Sequence, residues 1–196
     1  MGNIILKDEI FGAIKEKCLT LFDEKKTDLY EMAAELMDIR EIPMHYPYHH
    51  YIVPAVLLTA CHGAAGGERG ELLKKLDTAE QRARNVLGGF CGFYGACGAG
   101  IGVGIFYSVF QEISPLSQEG WAAANQATAD ALAAIAGVEG PRCCKRCCFL
   151  ALYSARKTIE EKLGIRLSMP DQIRCSYSGR NLDCKKEACP FFAKEA

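Results

Sequence analysis

Apolar residues recur at helical spacing through most of the chain. Ile10, Ile14, Cys18, Leu21 and Phe22 form one stripe between Asp8 and Lys25. Leu29, Met32, Ala33 and Leu36 form a second over residues 28–39, with Thr27 placed to cap it. Pro43 and Pro47 then interrupt the pattern. Residues before proline avoid the helical region, so 43–51 reads as irregular. Pro54 suits an early position of a third helix that runs toward Ala65, where Gly66-Gly67 ends it. Thr78-Ala-Glu-Gln81 fits a capping box and predicts that a helix starts or restarts there. An alanine-rich helix is expected over 119–136. A long one should open at Pro141 and stop at Gly164. Strand signals are confined to short pieces at 166–169 and 173–177. The pattern predicts an all-α fold: a compact helical domain over 1–165 and a cysteine-bearing tail over 166–196 that folds back into the same globular unit.

The stretch from Asn85 to Gln111 carries no charge and is long enough to span a bilayer. Its glycine and cysteine content, and the lack of a flanking basic cluster, favour a central helix buried by other helices. Gly88, Gly92, Ala96, Gly100 and Gly104 recur every four residues. In one continuous helix they would make a smooth face for close packing, against another helix or against a second copy of the chain in a homodimer. A helix broken by a glycine loop around Cys91–Cys97 fits the same sequence equally well.

Composition narrows the setting. With 196 residues the chain can bury roughly 70% of the surface its unfolded form exposes, so it needs no disulfide framework. Lysine plus arginine number 23 against 24 acidic residues, and no basic stripe suits a nucleic-acid backbone. An odd cysteine count and a charged opening without an apolar leader point to a reducing, cytoplasmic protein.

The cysteines carry the chemistry. There are eleven, and seven fall in the last 54 residues. Cys143, Cys144, Cys147 and Cys148 open the last long helix. Residues four apart share a helix face, so Cys143 pairs with Cys147 and Cys144 with Cys148. Helix N-termini favour thiolates, and Arg142, Lys145 and Arg146 add positive charge. The tail adds Cys175, Cys184 and Cys189, the last followed by Pro190. Three tail thiolates plus one from the helix make four ligands, which suit a [4Fe–4S] cluster or a structural zinc. The spacing matches neither a zinc ribbon nor a ferredoxin run. A set of metal-free thiols is the remaining alternative.

All four histidines lie between 45 and 62. If the segments converge, His49, His62, Cys91 and Cys97 become candidate catalytic groups. Backbone amides at Gly95, Gly98 and Gly100 are candidates to hold an anion or a bound sulfur species. The glycines fit neither a dinucleotide fingerprint nor a Walker loop, and no nucleophile elbow, zincin helix, EF-hand or radical-SAM cysteine run is present.

The segments Cys91-Gly-Phe-Tyr-Gly-Ala-Cys97-Gly-Ala and Pro141-Arg-Cys-Cys-Lys-Arg-Cys-Cys148, with the tail Cys175…Cys184…Cys189-Pro190, resemble a cysteine-rich, uncharacterised family of anaerobic bacteria and archaea, some of whose members are attached to radical-SAM enzymes. The resemblance implies an anaerobic, cluster-related role and brings no mechanism. Two functions follow as expectations. One is an iron–sulfur enzyme that acts on a small molecule by sulfur transfer, desulfuration or one-carbon chemistry, beside a redox or radical partner. The other is a zinc- or cluster-stabilised helical module that docks on a partner enzyme. A thiol redox sensor using Cys143–Cys148 is a third.

Overall fold

The computed structural model describes residues 4–193 and has eight α-helices among them, with almost no extended structure. They are α1 (Asp8–Asp23), α2 (Leu29–Met37), α3 (Tyr48–Ala64), α4 (Arg69–Arg84), α5 (Phe90–Phe93), α6 (Gly98–Phe110), α7 (Trp121–Ala136) and α8 (Cys144–Leu163). The fold is all-α, as the periodicity predicts. Helix α3 is the axis. It is buried from Tyr48 to His62 except at His50, and α1, α2, α4, α6 and α8 pack around it. A helix apolar on every side can only be stable when wrapped in this way.

Several boundaries differ from the sequence reading. Asp28, not Thr27, caps α2 by accepting from the amides of Tyr30 and Glu31. Pro54 lies inside α3 rather than near its start. Thr78 lies mid-helix in α4, where its hydroxyl donates back to the Lys74 carbonyl. The stripe Leu72, Leu76, Ala79, Ala83 runs unbroken through Thr78, and this continuous burial outweighs a local capping pattern. Helix α8 starts at Cys144 instead of Pro141, with Cys143 as its extended N-cap.

The uncharged stretch 85–111 is broken. After α5 the chain turns through Gly95, in the left-handed region at φ 67°, and restarts as the 13-residue α6. The every-fourth-residue glycine face therefore does not extend through 88–96. No helix among the described residues is long and apolar enough to cross a membrane. Within α6 the glycines serve two faces. Gly100 and Gly104 meet Leu132 and Thr128 of α7. Gly102 backs onto α3, where an added Cβ would lie 2.9 Å from Pro54 Cδ and 3.2 Å from the His50 carbonyl oxygen. That carbonyl is the one Pro54 cannot bond, so glycine lets α6 close over a helix defect.

The tail after α8 folds back by aromatic packing. Tyr177 and Phe191 lie against Phe149, and Phe191 also stacks on Tyr153, with ring centroids 5.7–6.5 Å apart. Among the described residues its strand-like pairing is two isolated bridges, Asp28 with Ser168 and Cys175 with Phe192. These fall where the sequence predicts short extended pieces.

Candidate metal and thiol site

The seven C-terminal cysteines divide into two groups, and the division follows from backbone geometry. Cys143 has φ −139° and ψ 111°, which is extended, so its sulfur leaves the face that Cys147 shares. It joins the tail instead. Cys143, Cys175, Cys184 and Cys189 line one narrow, partly open cavity of about 20 Å³, together with Met44, Arg146, Phe149 and Asn181. Three of these sulfurs receive N–H donors. The Tyr177 amide donates to Cys175 Sγ at 3.4 Å, the Lys186 amide to Cys184 Sγ at 3.4 Å, and the Asn181 side chain to Cys143 Sγ at 3.6 Å. Two of them repeat one turn, in which the amide two residues on bonds the sulfur. At Cys184 the turn is closed by Lys186 in the left-handed region, φ 51°, a conformation that non-glycine residues adopt at a cost.

A network behind Cys143 orients it. Asn181 is almost fully buried and its carbonyl oxygen accepts from His45 Nε2 at 3.0 Å, which leaves Nδ1 to accept from the Cys144 amide. Burial lowers the pKa of His45, so the ring sits neutral in this role.

Two cations are buried beside the thiols. Lys145 is 2% exposed and Arg146 4%. No carboxylate among the described residues pairs with either. Lys145 donates to His49 Nε2 at 2.7 Å and lies 5.2 Å from the Tyr177 ring centroid. Burial depresses its pKa, and the sulfurs of Cys148, Cys144 and Cys143 oppose that depression. Arg146 donates to the Pro141 carbonyl at 2.8 Å, but its Nε is buried with no partner. An unpaired buried donor on a cavity wall calls for an acceptor in the cavity.

The second group is Cys97 with Cys144, Cys147 and Cys148. Cys97 is the N-cap of α6, half-buried, with the amides of Ala99 and Gly100 facing its sulfur. The neighbouring Cys147 thiol lowers its pKa to about 7, helped by those amides and Arg146 and opposed by burial. Cys97 in turn pushes Cys147 up, with burial adding to it. Burial also raises Cys144, to about 12, and Cys148.

The histidine cluster converges only in part: His45, His49 and His50 lie near one another and His62 stands apart. His49 reaches α8, but both its nitrogens are engaged: Nδ1 donates to the Tyr46 carbonyl at 2.8 Å and Nε2 accepts from Lys145. His62 lies at the far end of α3, about 20 Å along the axis from His49, and donates to the Glu68 carbonyl. Cys18 and Cys61 are core residues whose thiols burial pushes up, Cys18 to about 12. Cys91 is half-buried on α5, six residues before Cys97. Gly98 is held against the His50 ring and Gly100 against Leu132, while a Cβ at Gly95 would meet open space.

The chain matches a family of unknown function, DUF5714, over residues 14–192. The chain belongs to this family. Neither a curated protein nor a solved structure matches it. The matched span of the family contains all eleven cysteines, Cys18 to Cys189, so both thiol groups lie inside it. Asn181 is a neighbour of the cavity that pattern reading passes over, since a single asparagine in an irregular tail carries no periodic signal, whereas His45 belongs to the histidine cluster that the sequence singles out.

Proposed function

We propose that this member of the family is a metal-binding protein in which Cys143, Cys175, Cys184 and Cys189 hold a [4Fe–4S] cluster, and that it acts on a small molecule. The observation that carries the reading is the set of N–H donors on three of the four sulfurs. Amides aimed at sulfur favour its ionised, ligating form and set the potential of a thiolate-bound centre. Charge supports it as well. Buried cations need a counter-charge, and among the described residues cysteine sulfurs rather than carboxylates are placed to give one, Cys143 beside Lys145 and the cavity cysteines beside Arg146. The unpaired Arg146 Nε suits an acceptor within the cavity. When bound, such a cluster supplies electron transfer or a Lewis-acidic iron. The chain's own part is to neutralise, through Lys145 and Arg146, the charge of the ligated thiolates, to fix Cys143 through Asn181, and to close the tail over the site with Phe191.

The cavity volume favours a second reading, a structural zinc. About 20 Å³ is room for little more than one water-sized sphere, so a cluster requires the irregular tail to open outward. A zinc requires the four sulfurs to draw in, since no three His, Cys, Asp or Glu side chains among the described residues converge on one ion position. Anaerobic purification with iron, zinc and acid-labile sulfide quantification separates the two. About four iron and four sulfide per chain, with a visible spectrum bleached by air, is the expected result. One zinc and no sulfide moves the assignment to a structural module, and no metal after anaerobic reconstitution removes both.

A further inference from the structure

We propose that an open cleft between α4, α6 and α7 binds a medium-chain carboxylate, with the hydrocarbon chain between α6 and α7 and the headgroup at Arg82. Two hollows of about 550 and 390 Å³ make up the cleft, and Arg82, Ser108, Ile113 and Ser114 form their common border. No cysteine lines either hollow, so the site stands apart from both thiol groups and does not rest on the metal reading. The larger hollow is apolar and has the volume usual for a small-molecule site. Ile101 and Ile105 of α6, Trp121 of α7, and Ile113 and Pro115 of the segment between them form its walls. It follows α6 from Ile101 to Ser108 and α7 from Trp121 to Thr128, a slot about 10 Å long. The polar side chains that α7 adds are turned to their own helix. Asn125 donates to the Trp121 carbonyl at 2.9 Å, and Thr128 to the Ala124 carbonyl at 3.0 Å. A sugar or heterocycle would leave polar groups unpaired in such a slot, whereas a hydrocarbon chain has none to pair. Trp121 is 50% exposed on this wall, and a chain laid along it removes that apolar area from water.

The smaller hollow supplies the charge. It takes Lys74, Lys75 and Arg82 from α4, and Lys74 and Arg82 lie two turns apart on one edge of that helix. Its two acids, Glu71 and Glu112, both pair with Lys75, at 3.3 and 3.9 Å. Among the described residues no carboxylate pairs with Lys74 or Arg82. Arg82 Nη1 donates to Ser108 Oγ, which holds the guanidinium on the border between the apolar and basic halves. The N–H groups left on the guanidinium can meet a carboxylate side-on, the geometry in which arginine binds it best. A cation without a carboxylate partner at the mouth of a hydrocarbon slot complements a molecule with an apolar body and one anionic end.

Trp121 is the only tryptophan of the chain, so its fluorescence reports on the cleft directly. The test titrates the full-length protein with hexanoate, octanoate, decanoate and decanol, and repeats each titration by calorimetry. Decanoate should shift the Trp121 emission to the blue and saturate at one molecule per chain. Each methylene added to the acid should tighten binding about fourfold. Arg82 and Lys74 are exposed, so their substitution leaves the core untouched. Arg82→Met should weaken decanoate about tenfold and leave decanol unchanged, while Lys74→Ala should weaken decanoate about twofold. Raising the salt concentration, which needs no variant, should weaken decanoate and not decanol. Absence of saturable decanoate binding overturns the proposal, as does an affinity that ignores chain length. Equal affinity of decanol and decanoate, or full decanoate affinity in Arg82→Met, overturns it too. Trp121 emission that follows protein concentration but not decanoate would overturn it in favour of a second copy of the chain in the cleft.

Discussion

At the scale of single residues, the buried Lys145–His49 pair joins the core to the thiols. His49 gives its Nδ1 proton to the Tyr46 carbonyl, which fixes the tautomer and leaves Nε2 as acceptor for the ammonium. Burial first, and then the Lys145 charge, hold its pKa well below the usual value of 6.5, and burial lowers His50 in the same direction. Both rings are therefore neutral in the folded chain where the unfolded chain binds protons. Their contribution to stability is present above the unfolded value of about 6.5 and is lost as pH falls below it, by up to about 1.4 kcal/mol per pH unit for each ring. Urea unfolding at pH 7.5, 6.5 and 5.5 should show a midpoint that falls with acidification, and a flat profile would contradict this arrangement. Lys145→Met removes a desolvated charge at the cost of the hydrogen bond to the buried His49 Nε2, so the stability of the metal-free protein should change little. It should nevertheless weaken metal retention, measured against a chelator, because the thiolates lose their counter-charge.

At the scale of elements, α6 shows what glycine does. At Gly102 an added methyl meets the Pro54 ring, the His50 carbonyl and Val53, none of which can swing away. Gly102→Ala should cost about 1–3 kcal/mol of unfolding free energy. Gly92→Ala, with open space around it on α5, should be neutral or stabilising by up to about 1 kcal/mol. Comparable midpoints for the two variants in urea would refute the packing account. Elements of this kind were largely legible in the sequence, because stripes such as Ile10, Ile14, Cys18 and Leu21 extend over many turns. Ends were less so. A capping box at Thr78 and a proline at position 54 are local signals, and burial of the surrounding stripe overrode both. The candidate site was legible in kind but not in division. Spacing identifies Cys143 as a partner of Cys147, yet the N-cap is not helical, and one extended residue sends its sulfur to the tail. His62 does not join His45, His49 and His50, because His49 and His62 occupy opposite ends of one helix.

At the scale of the molecule, α8 links two centres. Its N-cap serves the tail cavity and its second turn serves α6, so the two thiol groups share one rigid element with Lys145 and Arg146 between them. The tail is held by Phe191 and Tyr177 against Phe149 and Tyr153 rather than by a ladder of backbone bonds. Phe191→Ala should therefore raise amide exchange across 171–192 and lower metal retention while leaving α1 to α6 protected. Uniform loss of protection would mean that the tail is part of one cooperative unit with the helices. The assignment of Cys143 to the cavity, apart from Cys147, is the centre of the account, and metal stoichiometry tests it most directly. Cys143→Ser and Cys147→Ser are purified anaerobically in parallel, and iron, sulfide and zinc are counted per folded chain. The account predicts that Cys143→Ser loses the metal and Cys147→Ser keeps it. Retention in Cys143→Ser, or equal loss in both, would contradict it.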